Sequence, residues 1–309
     1  MIVTVTLNPA LDHFIFLESF ERGVIQRFSQ DVFAPGGKGV NVSLLLSSLG
    51  VENRALGLAG GFTGRELCRL LEEAGCQTDF VQLPQGNTRV NVKLRCADGE
   101  ETAFNGAGPA IPEQAVEELL ERLSRLREGD ALVLSGVLPA ALPETAFPRV
   151  LEAAPQRKAR LVVDMEGDPL LAALPYRPFL IKPNEEELAQ IFGIAGSLNV
   201  QEVKEYAREL QRMGARNVVV SLGAKGALLL EENGQALFCR SVRGEAVSTV
   251  GAGDSLVAGF LYGYELHGSA LGGLKWGVAA GAATAFCEGI ATGDQVKAVF
   301  PRVGEPHPV

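Results

Sequence analysis

Two glycines followed directly by an acid are the residues of this chain that best fit a chemical role. Gly251, Ala252 and Gly253 precede Asp254, and an apolar pattern with helical spacing follows them. The first backbone amides of a helix lack intrahelical acceptors and carry the positive end of its dipole, so they can hold a phosphate. An acid there would repel the phosphate, but it could take a proton from a hydroxyl that attacks phosphorus. Asp254 is therefore a candidate base, and the alternative is that it only caps its helix.

A second glycine loop, from Pro35 to Gly39, differs from the first because it carries a cation. Gly37 and Lys38 could bring backbone amides and an ammonium group to one anion, and Asn41 would lie on the same side of the following helix. The spacing of a Walker A loop, GxxxxGK[ST], is absent. The alternative is a helix entry with a solvated lysine.

Polar side chains follow several predicted strands, where ligands bind in open α/β sheets. They are Asp12, Ser135, Asp164, Asn184, Glu187, Ser221 and Asp254. Asn184 and Glu187 share a face at a helix start and could hold Mg²⁺ through waters. The same spacing fits a capping box, in which the two residues only stabilise the helix end.

The composition limits the partners of the chain. Its 309 residues are 47% apolar, which argues against disorder, and the net charge of −9 argues against a nucleic-acid or anionic-membrane partner. Five cysteines without a CxxC pair and three histidines without HExxH indicate neither a disulfide framework nor a zinc site. Without a signal peptide or an apolar run as long as a membrane span, we expect a cytoplasmic protein.

The order of predicted elements indicates one α/β domain over residues 1–309. Strands alternate with helices along most of the chain, which predicts a three-layer α/β/α sandwich with a mainly parallel sheet. The strands at about 12–34 and 87–106 belong to no such unit, and the second pair forms a hairpin around Asp98 and Gly99. We expect a small β-sheet lid, which is also a candidate homodimer contact. Arg89 in this lid is either a phosphate-binding fork or an ordinary surface residue.

Four motifs, in order, resemble the phosphofructokinase B family of ribokinase-like sugar kinases over nearly the whole chain. They are Thr6-Leu7-Asn8-Pro9-Ala10-Leu11-Asp12, Gly36-Gly37-Lys38-Gly39-Val40-Asn41, the segment from Lys182-Pro183-Asn184 to Leu188, and Val250-Gly251-Ala252-Gly253-Asp254. The resemblance implies a ribokinase-like fold, and ATP and Mg²⁺ as cofactors. It makes Asp254 the catalytic base and the amides of Gly251, Ala252 and Gly253 an anion hole for the transferred phosphoryl group.

The resemblance also implies two sides of a cleft. The sugar-phosphate side would contain Asp12, Gly37, Lys38, Asn41 and Arg89, with Arg27 of the lid as a further cation. The nucleotide side would contain Lys182, Asn184, Ser221, Gly223, Gly226 and Gly253. Asn184 and Glu187 match an NxxE element that organises Mg²⁺ indirectly, through water.

The opening motif and Thr88-Arg89 resemble the branch of the family that acts on phosphorylated ketohexoses. The favoured reaction converts fructose 1-phosphate into fructose 1,6-bisphosphate, and the alternative is a tagatose-6-phosphate kinase. Val137, Met165 and Glu166 depart from the pattern of this branch and bear on which sugar is preferred. A catalytically silent sugar-phosphate-binding regulator is an alternative of another class. A dinucleotide-dependent oxidoreductase is disfavoured because no GxGxxG follows the first strand.

Overall fold

The computed structural model describes all 309 residues, and its strands form one sheet of eleven strands and one of four. The strands are β1 (Ile2–Thr6), β2 (Ala10–Leu17), β3 (Gln30–Gly36), β4 (Asn53–Gly60), β5 (Gln77–Thr78), β6 (Val81–Leu83), β7 (Arg89–Cys96), β8 (Glu101–Asn105), β9 (Ala131–Ser135), β10 (Arg160–Asp164), β11 (Leu180–Ile181), β12 (Asn217–Ser221), β13 (Gly226–Leu230), β14 (Ala236–Arg240) and β15 (His307–Pro308). The α-helices are α1 (Lys38–Ser48), α2 (Gly61–Glu73), α3 (Glu113–Leu123), α4 (Ala146–Gln156), α5 (Asp168–Ala173), α6 (Glu185–Ile191), α7 (Val200–Arg212), α8 (Ala252–His267), α9 (Ala270–Ala285) and α10 (Gly293–Val299).

The large sheet has the order β15-β14-β13-β12-β11-β10-β9-β1-β4-β5, with β6 beside β4. From β12 to β5 neighbouring strands are parallel, whereas β13, β14 and β15 add antiparallel pairs at one edge. Parallel strands point the same way, so the carboxyl ends of the central strands share one edge of the sheet. The predicted mainly parallel sheet is confirmed, and this edge carries the candidate site.

Helices cover both faces of the large sheet, which gives the three layers that the sequence predicts. Alternate residues of β1 point to opposite faces, so Val3 and Val5 join one buried apolar cluster and Ile2 joins another. The first cluster includes residues of α3, α4, α6 and α7, and the second includes residues of α1, α8, α9 and α10. The burial of both faces explains why the central strands are almost continuously apolar.

The small sheet has the order β3-β2-β7-β8 and is the predicted lid, although its strand limits differ from the prediction. β2 begins at Ala10 and not at Asp12, because Ala10 already pairs with Gly36 and Arg89. The second lid strand, Gln30–Gly36, runs past the predicted limit of about residue 34, and Arg27 lies in the loop before it. The hairpin of β7 and β8 around Asp98 and Gly99 is confirmed.

The last part of the chain contains two elements that the sequence analysis did not predict, α10 and β15. Thr292 and Gln295 form a capping box at the start of α10, a signal that is visible in the sequence. β15 is only two residues long and pairs with β14, so no local pattern could have revealed it. No helix of the structure is long and apolar enough to cross a membrane.

Candidate active site

Asp254 lies in the first turn of α8, which begins at Ala252, between Gly251 and Gly253. Gly251 is the N-cap residue and has a φ of 80°, a left-handed conformation that other residues adopt only with strain. This turn directs the Asp254 side chain inward, and the residue is only 6% exposed. The side chain of Asn41, from the first turn of α1, donates a hydrogen bond to Asp254 Oδ2 at 2.7 Å. The fold thus joins the two glycine loops that the sequence singles out.

The burial of Asp254 changes its acidity in the direction that a base requires. Desolvation raises the pKa of Asp254 to about 7, and the negative charge of Asp164 adds to this effect. The hydrogen bond from Asn41 and the ammonium groups of Lys182 and Lys38 lower the pKa and limit the shift. A carboxylate with a pKa near neutrality accepts a proton far better than an exposed aspartate does.

Backbone amides at the start of α8 are available to an anion. The amides of Gly251, Gly253 and Asp254 donate to no acceptor within the protein, whereas the amide of Ala252 bonds to the carbonyl of Thr249 at 3.2 Å. Of the three amides predicted to form the anion hole, that of Ala252 is therefore already engaged. Lys182 brings a cation to the same turn, since its Nζ lies 3.3 Å from where a Cβ on Gly253 would be.

A buried ion pair lies beside this turn, between the ends of β10 and β11. Lys182 Nζ is 3.1 Å from Asp164 Oδ1, and both side chains are almost fully buried. Ser135, at the end of β9, donates its hydroxyl to Asp164 Oδ2 at 3.3 Å. Ser135 and Asp164 end the neighbouring parallel strands β9 and β10, as predicted from the strand exits, and Lys182 directly follows the next strand, β11.

Lys38 is the first residue of α1 and is held by a residue that departs from the family pattern. Its Nζ lies 2.7 Å from Oε1 of Glu166. Burial lowers the pKa of Lys38, but the charges of Asp164 and Glu166 outweigh it and raise the pKa above its ordinary value, so the side chain stays cationic. Gly37 has a φ of 119°, and a Cβ there would lie 2.9 Å from Thr6 Cγ2, so a larger residue would not fit.

Asp12 belongs to the lid and not to the exit of β1, where the sequence analysis placed it. It is the third residue of β2, and its carboxylate accepts hydrogen bonds from Asn91 at 2.8 Å and Lys93 at 2.7 Å. Sequence analysis missed Asn91 and Lys93. The alternation Arg89, Asn91, Lys93 along β7 could have revealed them, because residues two apart in a strand share a face.

The two lid arginines have different positions. Arg89 is half-buried and donates to the carbonyls of Asn8 and Gly106, and burial lowers its pKa while the charge of Asp12 opposes that shift. Arg27 is exposed and lines a cavity of about 420 Å³ with Arg95 and Glu288, at the far end of the lid strands from Asp12. The structure therefore brings Arg89 to Asp12 but does not bring Arg27 there.

Asn184 and Glu187 form a complete capping box at the start of α6. The Asn184 side chain accepts from the Glu187 amide at 2.8 Å, and Glu187 Oε2 accepts from the Asn184 amide at 2.9 Å. Burial raises the pKa of Glu187, and the charge of Lys182 opposes that shift. With one carboxylate oxygen left over and no cluster of three acidic, cysteine or histidine side chains nearby, the site fits a water-mediated Mg²⁺ and not direct coordination.

The predicted nucleotide loop follows β12 next to this capping box. Ser221, the last residue of β12, forms a β-bridge with Asn184. Gly223 and Gly226 both have positive φ values, and a Cβ on Gly226 would lie 2.0 Å from the carbonyl oxygen of Cys239. The loop therefore turns back tightly into β13 at the carboxyl edge of the sheet.

Residues 5–297 match the sequence profile of the pfkB family carbohydrate kinases. The chain belongs to this family. The 1-phosphofructokinase of Bacillus subtilis (strain 168) is 42% identical over 98% of both chains. The D-tagatose-1-phosphate kinase of Bacillus licheniformis is 36% identical over 94% of both chains. The structure of phosphofructokinase-2 from Escherichia coli in complex with fructose-6-phosphate has a TM-score of 0.90 to this chain, with 30% identity and coverage of 97% of this chain and 98% of that one.

Membership of the pfkB family confirms the predicted ribokinase-like fold and the predicted enzyme class, a sugar phosphotransferase. It also implies ATP as the phosphate donor. The roles of the individual site residues remain predictions, and the distances between their side chains show which of them are close enough to act together.

Proposed function

We propose that this pfkB kinase transfers the terminal phosphoryl group of ATP to fructose 1-phosphate and forms fructose 1,6-bisphosphate. The observation that carries the proposal is Asp254, a buried carboxylate with its pKa raised to about 7, placed beside unengaged amides at the start of α8. Relatives that are 42% and 38% identical are 1-phosphofructokinases, which favours fructose 1-phosphate among the sugar phosphates.

Asp254 serves as the base. A new bond forms between the sugar hydroxyl oxygen and the γ-phosphorus of ATP, while the bond from that phosphorus to the bridging oxygen of ADP breaks. The hydroxyl proton moves to the carboxylate of Asp254, which Asn41 holds in place through its 2.7 Å hydrogen bond. The amides of Gly251 and Gly253 stabilise the negative charge on the transferred group.

The sugar phosphate would bind between the lid and α1. Asp12 accepts hydrogen bonds from sugar hydroxyls, and Asn91 and Lys93 fix its orientation. Arg89 and Lys38 contribute positive charge for the substrate phosphate, and these local cations attract an anionic substrate to a chain with a net charge of −9.

The nucleotide would lie along the loop after β12, with Ser221, Gly223 and Gly226 against it. Lys182 and the start of α8 would contact its phosphates. Asn184 and Glu187 fit a Mg²⁺ ion held through water, which would neutralise charge on the phosphates of ATP.

A coupled assay of ADP release tests the proposed function. The enzyme, ATP and Mg²⁺ are combined with fructose 1-phosphate, tagatose 1-phosphate, tagatose 6-phosphate, fructose 6-phosphate or ribose. We expect the highest kcat/KM with fructose 1-phosphate. A tagatose phosphate is the second candidate, because a relative that is 36% identical is a D-tagatose-1-phosphate kinase. The absence of ADP release with every sugar phosphate would overturn the proposal and favour a silent regulator.

We also propose that the lid contacts a second copy of the chain and that the enzyme works in the cytoplasm. Phe33 and Phe104 of the lid are 45% and 55% exposed, and an apolar sheet face of this kind is typical of a protein interface. All five cysteines are free thiols, as expected in a reducing compartment. Light scattering of the wild type and of F104D tests the first point, since a monomeric wild type would contradict it.

A further inference from the structure

Glu166 makes the only salt bridge of Lys38. The 2.7 Å contact between Glu166 Oε1 and Lys38 Nζ joins the end of β10 to the start of α1. Asp164 also influences the charge of Lys38, but its own ion pair is with Lys182. Glu166 is thus the anion in direct contact with Lys38, and Lys38 is the cation expected to bind the substrate phosphate.

The backbone around Glu166 is fixed while its side chain is free to leave. Met165 is 3% exposed and packs in the apolar cluster on one face of the large sheet. Gly167, with a φ of 60°, starts the turn into α5. The Glu166 side chain is 56% exposed and makes no hydrogen bond except the one from Lys38. It can therefore rotate into solvent without disturbing the core.

We propose that Glu166 is a displaceable counterion that competes with the phosphate of the substrate for Lys38. In this role Glu166 weakens the binding of sugar phosphates and speeds the release of the doubly phosphorylated product. The inference rests on the proposed function, because it requires Lys38 to contact the substrate phosphate.

The relative strengths of the two contacts support this competition. Lys38 is half-buried, but the Glu166 side chain is open to solvent, and ion pairs open to solvent are weak, so this pair opens easily. A phosphate monoester carries up to two negative charges and three acceptor oxygens, so it forms the stronger contact with an ammonium group. The displaced carboxylate remains near the bound phosphate and repels it, which raises the KM.

The substitution E166Q keeps the shape of the side chain and removes its charge. We expect the KM for fructose 1-phosphate to fall about 3–10-fold, with kcat changed less than about twofold. Inhibition by fructose 1,6-bisphosphate should strengthen by a similar factor. E232Q is the matched control, because Glu232 is a half-exposed partner of Arg216 and lies outside the site. Its KM should equal that of the wild type.

A double-mutant cycle shows whether Glu166 acts through Lys38. In the K38M background, E166Q should no longer lower the KM. The Lys38 ammonium group, which the loss of the Glu166 charge would free for the phosphate, is absent there. An unchanged or higher KM for E166Q alone, or an equal gain in the K38M background, would overturn the inference.

Calorimetric titration with inorganic phosphate separates this inference from the proposed function. E166Q should bind phosphate more tightly than the wild type, whether or not either protein turns over a sugar. Turnover without any tighter phosphate binding would overturn only the role of Glu166. Tighter binding without turnover of any sugar phosphate would overturn only the proposed reaction.

Discussion

Asn41 and Asp254 are 213 residues apart in the chain, yet the side-chain amide of Asn41 donates a 2.7 Å hydrogen bond to the Asp254 carboxylate. Each residue lies in the first turn of a helix that follows a glycine loop, and the two helices, α1 and α8, pack against the same face of the large sheet. The contact fixes the direction of the carboxylate and limits the rise of its pKa. It therefore links the predicted sugar-phosphate loop to the predicted catalytic loop.

The substitution D254N should abolish turnover without preventing ATP binding. The new amide side chain could still accept the hydrogen bond from Asn41, but it could not take a proton, so kcat should fall by about 10²–10⁴-fold. Steady-state kinetics and ATP titration by fluorescence measure the two effects. A D254N enzyme with near-normal kcat would show that another group is the base.

The substitution N41A should move the acid limb of the pH profile to higher pH. The hydrogen bond from Asn41 lowers the pKa of Asp254, so its loss raises that pKa and leaves less of the basic form at neutral pH. We expect kcat/KM at pH 7 to fall by about 10-fold and to recover partly at pH 9. A loss of the same size at every pH would assign Asn41 to substrate binding instead.

The raised pKa of Asp254 also predicts a pH-dependent stability. The pKa is about 7 in the folded chain, whereas that of an unperturbed aspartate is 3.8. Protonated Asp254 therefore contributes fully to the stability of the folded chain below pH 3.8. This contribution is lost as the pH rises through 7. The ionised carboxylate destabilises the fold at pH 9 by up to about 4 kcal/mol.

D254N removes this penalty, so it should be more stable than the wild type at pH 9, by an amount that shrinks as the pH falls below 7. Urea denaturation at pH 9, 7 and 5 measures the free energy of unfolding. D294N is the control, because the Asp294 side chain is 99% exposed and should give no such gain. Equal stability of D254N and the wild type at pH 9 would contradict the raised pKa.

The substitution E187Q should weaken the response to Mg²⁺ while leaving α6 intact. Glutamine can still accept the backbone hydrogen bond of the capping box, but it lacks the charge that attracts a hydrated cation. We expect the Mg²⁺ concentration for half-maximal activity to rise by about 10-fold. E202Q is a matched control, because Asn199 and Glu202 form the same capping box in α7. An equal response of both variants to Mg²⁺ would leave Glu187 with a capping role only.

The substitution K93M should raise the KM for the sugar phosphate, because Asp12 loses the ammonium group that orients it. We expect an increase of about 10-fold with little change in kcat. R95M is the matched control, since Arg95 lies two residues further along β7 and contacts the same Phe14 ring, but pairs with Glu101. If R95M raised the KM equally, the effect would come from the lid as a whole.

The sequence alone determined the layered α/β architecture, the lid and the helix that begins at the glycine pair. Each of these follows from local rules, namely apolar periodicity, turn residues and glycines that can adopt a positive φ. The departure at Glu166 was also visible in the sequence, although its partner was not. By contrast, the limits of β3 depend on pairing with β2, and those of β2 depend on pairing with β3 and β7, which no local pattern specifies.

Only the tertiary structure decided which polar residues meet. Asn41 with Asp254, Lys38 with Glu166, and Asp12 with Lys93 are each brought together by packing between segments distant in the chain. The same packing buries Asp254 and raises its pKa. Burial and charge proximity depend on three-dimensional distance, so a one-dimensional pattern can name the candidates for a site but cannot give their acidity or their partners.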